Sequence, residues 1–292
     1  MDLIYRFEPS QWLVSCPVPD AAAALLELQK GNERLAGIVA RMQDQMSGGA
    51  ACEPIVIPVC PVSLGLPLAA GMSHNQAPFG LVLGCSDARV PTEVIFDQSF
   101  NHLFVVRIAG NVLGTECVGS IDFAVRHLAD SLKVVVVLGH SRCGAVTAAV
   151  AGYEAPEDYI DIAFSHGLRS LVDRIQIAVR GAAKALRQVA GNDVARCPGY
   201  TKALVEMTAY LNAAVTASDL QREVRGLEQS NLPVVYGVFD LDDLRVRAIP
   251  DAPGMCGVAE RMTFAEAPKR ADEFVALAAR LAERVVARGM LQ

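Results

Sequence analysis

Short apolar runs alternate with segments of helical periodicity in the middle of the chain. The apolar runs predict strands, which lie at 79–84, 103–108 and 133–139. The segments after each run repeat apolar residues at helical spacing and predict helices at 91–98, 114–131 (with Thr115 as N-cap) and 141–152. Strands and helices in alternation indicate a parallel sheet that is covered by helices on both faces.

The chain before this region predicts a helical segment and an apolar insertion. Residues 21–46 repeat apolar residues at helical spacing, and because Gly31 and Asn32 interrupt the pattern we expect two helices or one helix broken there. Residues 47–78 are apolar but contain five prolines, which excludes a long helix. We therefore expect an ordered insertion that packs on the body of the domain or on a neighbouring subunit.

The chain after this region predicts more helix, a final strand pair and a terminal helix. Residues 157–228 are mostly helical in pattern, with an interruption near 191–200. A fourth strand is expected at 232–241, with 244–249 pairing beside it as a hairpin. Within 257–290, Pro268 marks the start of an amphipathic helix that buries Phe274, Leu277, Leu281 and Val285.

These elements define one fold class, an α/β domain with a mostly parallel central sheet flanked by helices. An additional edge strand and helical N- and C-terminal extensions complete it. We expect a single domain over 1–292, with its α/β core at 79–250.

Composition and charge exclude several classes of partner. The net charge is −6 and no basic run is present, which argues against a nucleic-acid partner. We expect no membrane span, and the first 20 residues lack the apolar core of a signal peptide. Eight cysteines are too sparse for a disulfide scaffold, so we expect thiols in a reducing cytoplasm.

Two motifs at strand ends contain residues that suit a metal site. Cys85 in "LGCSDARVPTE" follows one strand, whereas His140 and Cys143 in "LGHSRCGA" follow another. Because the carboxyl ends of parallel strands meet at one edge of a sheet, these side chains are expected to converge. Two thiolates and one imidazole suit Zn²⁺ and leave a fourth position open for water, which loses its proton near pH ~7 when zinc is bound.

Asp87 and Arg89, in the first motif, form a candidate catalytic pair. The Asp87 carboxylate is placed to accept a hydrogen bond from the resulting hydroxide, and Arg89 to keep Asp87 ionised. The residues alone leave an alternative open, in which the cysteines are small buried hydrophobes and the Asp-x-Arg pair is a surface ion pair.

The two motifs, "CSDARVP" and then "GHSRCGAV", resemble the paired motifs of the β-class carbonic anhydrases. The similarity extends through "FDQSFNHLFVVRIAGNV" and "GSIDFAVRHL", and more weakly over 21–46 and the rest of 75–250. It implies one Zn²⁺ per chain, and its ligands match Cys85, His140 and Cys143. It also implies that Asp87 and Arg89 are the catalytic dyad.

The resemblance further implies a substrate pocket and an oligomer. Gln76 matches a glutamine that hydrogen-bonds substrate in the plant-like subgroup, whose site stays open at low pH. Phe104 matches an aromatic residue that lines the CO₂ pocket across a dimer interface, and Phe123 stands where the family usually has tyrosine. Val90 and Gly144 complete the expected pocket. The expected assembly is a homodimer or a dimer of dimers.

The implied activity is the reversible hydration of carbon dioxide to bicarbonate and a proton by a zinc-bound hydroxide. Two alternatives remain open: a hydrolase of COS or CS₂ on the same fold, and a non-catalytic zinc-containing scaffold. His102 and His127 are candidates for a proton shuttle by titration range alone.

Overall fold

The computed structural model of the chain describes residues 3–7, 18–48, 54–59, 71, 75–162, 164–227, 231–251 and 262–292. Within these residues the strands are β1 (Leu3–Phe7), β2 (Ile55–Val59), β3 (Gly80–Gly84), β4 (Leu103–Arg107), β5 (Val134–His140), β6 (Val234–Phe239), β7 (Val246–Arg247) and β8 (Ala265–Glu266). The helices are α1 (Ala21–Met46), α2 (Thr92–Ile95), α3 (Thr115–His127), α4 (Gly144–Glu154), α5 (Tyr159–Ile162), α6 (His166–Ala190), α7 (Tyr200–Gly226) and α8 (Ala271–Ala287). The 3-10 turns among the same residues lie at Ala109–Asn111, Pro156–Asp158 and Asn192–Arg196.

A six-stranded sheet lies at the centre of the fold. Its strand order is β4–β3–β5–β6–β7, and β8 pairs with β6 as well. Strands β3 to β6 pair in parallel, whereas β7 and β8 run antiparallel to β6. The parallel body and the antiparallel edge strand confirm the predicted fold class, and the parallel strands end within two residues of their predicted bounds. Strand β8 is not indicated by the sequence, because two residues are too few to show a period.

Alternate side chains of the parallel strands enter two separate hydrophobic cores. Leu83 and Val137 face a layer formed by α3, α4, α6, α7 and α8. Val82 and Val136 face the opposite way and pack against α1 and α2. Burial on both faces explains why β5 is an uninterrupted apolar run in the sequence.

The connections change direction across the sheet between β3 and β5. From β3 the chain passes through α2 to β4 on one side, and α3 then leads to β5 on the other side of β3. In open α/β sheets such a reversal leaves a crevice at the carboxyl ends of the two strands, where ligands bind. Cys85 directly follows β3 and His140 ends β5, so both residues lie at this crevice.

Helix α1 is continuous, so the predicted break at Gly31 and Asn32 is wrong. Both residues are buried, because α1 packs closely on the loop after α2. A Cβ atom on Gly31 would lie 1.7 Å from the carbonyl oxygen of Phe96. The Asn32 side chain donates to the carbonyl oxygen of Leu244 (2.9 Å) and accepts from the Val246 amide (2.8 Å). Gly31 and Asn32 therefore serve helix docking, and the helix tolerates them.

A second, two-stranded sheet pairs the start of the chain with part of the predicted insertion. Strands β1 and β2 run parallel, with Leu3 opposite Ile55 and Phe7 opposite Val59. Strand β2 lies within the predicted insertion at 47–78, of which residues 49–53, 60–70 and 72–74 lie outside the described residues. Packing of the insertion on the body or on another subunit stays a prediction.

Several helix ends differ from their predicted positions. Gly114 is the N-cap of α3, so Thr115 is the first helical residue and not the cap. Helix α8 begins at Ala271, which places Pro268 before the helix and not at its start. The predicted interruption in the long helical region is the 3-10 turn Asn192–Arg196 between α6 and α7.

The predicted buried face of α8 is observed. Leu277, Leu281 and Val285 are buried, and Phe274 is partly buried. Residues 252–261, which precede this helix, lie outside the described part of the chain.

Candidate metal centre

The structure brings Cys85, His140 and Cys143 together in one buried cluster. Their ligand atoms all lie within 4.8 Å of one another, and the two sulfur atoms are 3.9 Å apart. Cys85 follows β3, His140 is the last residue of β5, and Cys143 is the N-cap of α4. Two strand ends and one helix start thus fix three ligand atoms around a single point.

The hydrogen bonding of His140 leaves a nitrogen lone pair for a metal. Its Nδ1 atom lies 3.0 Å from the carbonyl oxygen of Ser141, which accepts only, so Nδ1 must be the protonated nitrogen. Nε2 therefore has a lone pair, and this buried atom has no hydrogen-bond partner among the residues that the structure describes. An orphaned imidazole nitrogen beside two sulfur atoms fits a d¹⁰ ion such as Zn²⁺, which prefers nitrogen and sulfur ligands.

The pKa values of the two thiols shift in opposite directions. A hydrogen bond from Cys143, together with the backbone amides of Asp87 and Gly110, lowers the pKa of Cys85 against the opposing effect of burial. The neighbouring Cys85 thiolate and burial raise the pKa of Cys143. A bound divalent cation would hold both sulfur atoms as thiolates, since a coordinating thiol is deprotonated.

Asp87 and Arg89 form a two-point ion pair at the rim of the cluster. Nε and Nη2 of Arg89 donate to the two carboxylate oxygens of Asp87 at 3.0 and 2.7 Å, and the Arg89 amide donates to Oδ1 at 2.9 Å. These bonds hold the pKa of Asp87 below its usual range. The carbonyl oxygen of Arg142 accepts a further bond from Arg89 at 3.2 Å, which ties this pair to the loop that holds Cys143.

Arg107 is a site residue that the sequence analysis did not single out. At the carboxyl end of the edge strand β4, its side chain donates to the carbonyl oxygens of Cys85 (2.9 Å) and Asp87 (2.5 Å). It therefore fixes the backbone between Cys85 and the Asp87–Arg89 ion pair. The signal available in the sequence is a charged residue at the end of an apolar strand next to the metal-site motif.

The loop after β6 supports the His140 end of the cluster. Ser141 Oγ donates to Asp240 (3.3 Å) and accepts from the Leu241 amide (2.9 Å). Arg142, which has φ +55°, forms an ion pair with Asp242 in the same loop. These bonds hold the carbonyl group that orients the His140 ring, and their partners lie about a hundred residues away in sequence.

Two of the five predicted pocket residues lie next to the cluster. Val90 is fully buried, and its amide donates to the carbonyl oxygen of Asp87 at 3.0 Å. Gly144 follows Cys143 as the first residue of α4, and a Cβ atom on it would meet nothing within 4 Å. As far as the described residues extend, the space over Gly144 is therefore open.

The other three predicted pocket residues lie away from the cluster of Cys85, His140 and Cys143 in the same chain. Gln76 precedes β3, at the amino end of the strand that Cys85 follows. Phe104 lies in β4 opposite Leu81 of β3. Leu81 is four residues before Cys85, so about 13 Å of strand separates the level of Phe104 from the cluster. Phe123 lies on α3, half exposed, with its ring stacked on His127 at 4.5 Å between centroids.

The two candidate shuttle histidines make local contacts. His102 precedes β4, where burial lowers its pKa and Gln98 lies within hydrogen-bond distance, at 3.0 Å. His127 bonds through Nδ1 to the carbonyl oxygen of Phe123 at 2.9 Å. Neither contact connects these rings to the metal ligands.

Comparison with known proteins identifies the family. A family model described as carbonic anhydrase matches residues 80–245, which include all three ligands and both residues of the ion pair. The chain belongs to the β-class carbonic anhydrase family. Within the residues that the structure describes, no helix combines the length and apolar character needed to cross a bilayer.

Curated relatives match part of the chain at higher identity. Carbonic anhydrase 2 of Mycobacterium tuberculosis is 48% identical over 82 residues, which are 28% of this chain and 39% of that protein. A carbonic anhydrase of Mycolicibacterium smegmatis is 37% identical over 116 residues, which are 39% of this chain and 52% of that protein. The chain thus spans about half or less of the length of these relatives. A solved tetrameric β-carbonic anhydrase of Sordaria macrospora gives a TM-score of 0.47 at 24% identity, over 59% of this chain and 81% of that one.

Proposed function

We propose that this chain catalyses the reversible hydration of carbon dioxide to bicarbonate and a proton. The observation that supports this best is the position of the Asp87–Arg89 ion pair beside the three-ligand cluster. Oδ2 of Asp87 lies 3.9 Å from the unpartnered Nε2 of His140. A zinc site that serves stability alone is closed by four protein ligands, whereas three ligands leave a position for a reactant.

The residues divide the chemistry between them. Cys85, His140 and Cys143 would hold Zn²⁺, which supplies Lewis-acid activation of a water molecule when bound. The Asp87 carboxylate accepts a hydrogen bond from the attacking water and thereby directs an oxygen lone pair toward the carbon of CO₂. Arg89 keeps Asp87 ionised and fixed, so the carboxylate remains an acceptor throughout the neutral pH range.

Stopped-flow measurement of CO₂ hydration tests this proposal against its alternatives. The purified zinc-loaded chain is assayed with CO₂ and, under matched conditions, with COS. We expect turnover of CO₂ to exceed that of COS. A preference for COS would assign the chain to the sulfur substrates, and zinc-loaded protein without either activity at alkaline pH would indicate a scaffold.

We further propose that two copies of the chain complete each other's substrate pocket. Within the described residues β4 is the edge of the main sheet, and its residues Leu103 to Val106 are apolar and only partly buried. Pairing of two such edges across a two-fold axis is antiparallel, so the amino end of one strand lies near the carboxyl end of the other. Gln76 and Phe104, at the amino end, then lie on the side of the partner subunit's metal site.

Mixing two inactive variants tests this homodimer. Cys143→Ala removes a ligand but keeps Gln76, whereas Gln76→Ala keeps all ligands. If Gln76 acts across the interface, refolding a 1:1 mixture restores about a quarter of the parent activity through heterodimers that have one complete site. A mixture no more active than the average of the two variants, or a monomer in analytical ultracentrifugation, would contradict the proposal.

We infer that the site belongs to the open subgroup and that the chain works in the cytoplasm. In the structure Asp87 is bound to Arg89, and Gln76 is the residue of the plant-like pattern. We therefore expect activity to fall gradually below neutral pH, and an abrupt cooperative loss would count against the open form.

Free thiols at Cys85, Cys117, Cys143 and Cys197 suit a reducing compartment such as the cytoplasm. Fractionation of the source cells would test this location.

A further inference from the structure

A buried asparagine in α7 is linked to a metal ligand by two consecutive hydrogen bonds. Nδ2 of Asn212 donates to the carbonyl oxygen of Gly110 at 2.8 Å, across 102 residues of sequence. The amide of Gly110 in turn donates to Sγ of Cys85 at 3.3 Å. Both contacts are buried, so no solvent competes for either of them.

Gly110 joins the two hydrogen bonds, because it accepts one through its carbonyl oxygen and donates the other through its amide. Its φ of +70° lies in the left-handed region, and a Cβ atom there would lie 2.9 Å from Ile175 and 3.0 Å from Ala145. The residue therefore has no side chain that packing can hold, and only its peptide groups fix its orientation. A contact to its carbonyl oxygen constrains where its amide hydrogen points.

The position of Asn212 within α7 also requires an explanation. Most buried residues of this helix are apolar, and an amide buried among them is unfavourable unless it is hydrogen-bonded. Thr208 lies one turn earlier, equally buried, and its hydroxyl oxygen has no hydrogen-bond partner. The two positions are therefore matched in burial and differ in that only Asn212 contacts the metal-site loop through a hydrogen bond.

We propose that Asn212 is a positioning residue that holds the Gly110 amide against the Cys85 sulfur and so sets how strongly that sulfur binds the metal. A hydrogen bond to a coordinated sulfur withdraws electron density from it, and such outer contacts tune affinity and electronic structure at metal sites. This proposal rests on the metal site of the proposed function but not on the reaction catalysed there.

Cobalt substitution gives a readout that does not depend on activity. The parent chain, Asn212→Ala and the control Thr208→Val are loaded with Co²⁺, and the sulfur-to-cobalt charge-transfer band is recorded. We expect this band to move to longer wavelength in Asn212→Ala, because the sulfur electrons rise in energy when the amide donor is lost. Thr208→Val keeps the parent band, since it removes a hydroxyl that has no partner.

Zinc affinity, measured by competition with a chelator, gives the second readout. We expect Asn212→Ala to bind zinc about 10–100-fold more weakly than the parent chain, because the loop that positions the Cys85 sulfur is then held less firmly and this loss outweighs the gain in electron density on the sulfur. Thr208→Val should bind zinc as well as the parent chain does. Asn212→Leu, which fills the same space without a donor, replaces the alanine variant if that variant does not fold.

The outcomes separate this proposal from the proposed function. Parent-like cobalt spectra and zinc affinity in the Asn212 variants would overturn the role of Asn212 and leave the metal site intact. An equal shift in Thr208→Val would also overturn it, because the effect would then come from general disturbance of α7. Failure of the parent chain to bind either metal would overturn the site itself.

Discussion

Oδ2 of Asp87 lies 3.9 Å from Nε2 of His140 and 2.7 Å from Nη2 of Arg89. One carboxylate oxygen thus lies between an arginine and the free nitrogen of a metal ligand. Arg89 holds this oxygen close to the metal position without bonding it to the histidine. The arrangement suits a group that contacts a reactant at the metal.

We expect Asp87→Asn to lower the rate of CO₂ hydration by about 10–100-fold while zinc content stays at the parent level. The amide keeps the size of the side chain but loses the charge that Arg89 orients. The measurement is stopped-flow hydration together with metal analysis. Asp193→Asn is the control, because Asp193 is exposed and pairs with Arg196 in the turn between α6 and α7, away from the cluster. Parent-like turnover in Asp87→Asn would show that this carboxylate does not take part.

Two glycines of α1 provide a test of how this helix docks. We expect Gly31→Ala to lower the free energy of unfolding by about 3 kcal/mol or more, because its Cβ atom would overlap the Phe96 carbonyl group. Gly37→Ala should raise the free energy of unfolding by about 0.5–1 kcal/mol, because alanine favours the helix more than glycine does. No described atom lies within 4 Å of the added Cβ atom there. Urea unfolding followed by circular dichroism measures both values. Equal effects of the two substitutions would contradict the close approach at Gly31.

The metal cluster could be predicted from sequence because its geometry follows from local rules. Cys85 and His140 end adjacent parallel strands, and Cys143 starts the next helix, so a correct strand assignment already places the three together. The strands themselves were predictable because burial on both faces makes them uninterrupted apolar runs.

Features that depend on long-range contacts could not be predicted in the same way. Gly31 and Asn32 resemble a helix break in sequence, and only their contacts with distant segments show why the helix continues. The bond from Asn212 to Gly110 joins residues that are 102 positions apart. The pairing of β1 with β2 likewise joins segments about fifty residues apart, and no local period indicates it.

Glu206 in α7 predicts a pH dependence of stability. Burial raises its pKa above the ordinary value of 4.5, and Asp240 and Asp242 add to the shift, against the opposing effect of Arg288 at 3.4 Å. The folded state therefore binds more protons than the unfolded state above pH 4.5. The contribution of Glu206 to the free energy of unfolding therefore falls as pH rises from 4.5 through the pKa of Glu206 in the folded state, and then levels off.

Glu206→Gln removes this contribution, so we expect its free energy of unfolding to decline less between about pH 4.5 and neutrality than that of the parent chain. Urea unfolding at several pH values in this range measures the difference. Glu283→Gln, at an exposed position of α8, controls for the loss of one carboxylate. A decline as steep as the parent's in Glu206→Gln would contradict the assignment.

Metal content is the most direct measurement of the three-ligand site. Elemental analysis is performed on the purified chain and on Cys143→Ala, with circular dichroism to verify that the variant is folded. We predict one zinc ion per chain in the parent protein and loss of zinc from the variant, together with loss of CO₂ hydration. A folded Cys143→Ala protein that retains a full equivalent of zinc would contradict the site.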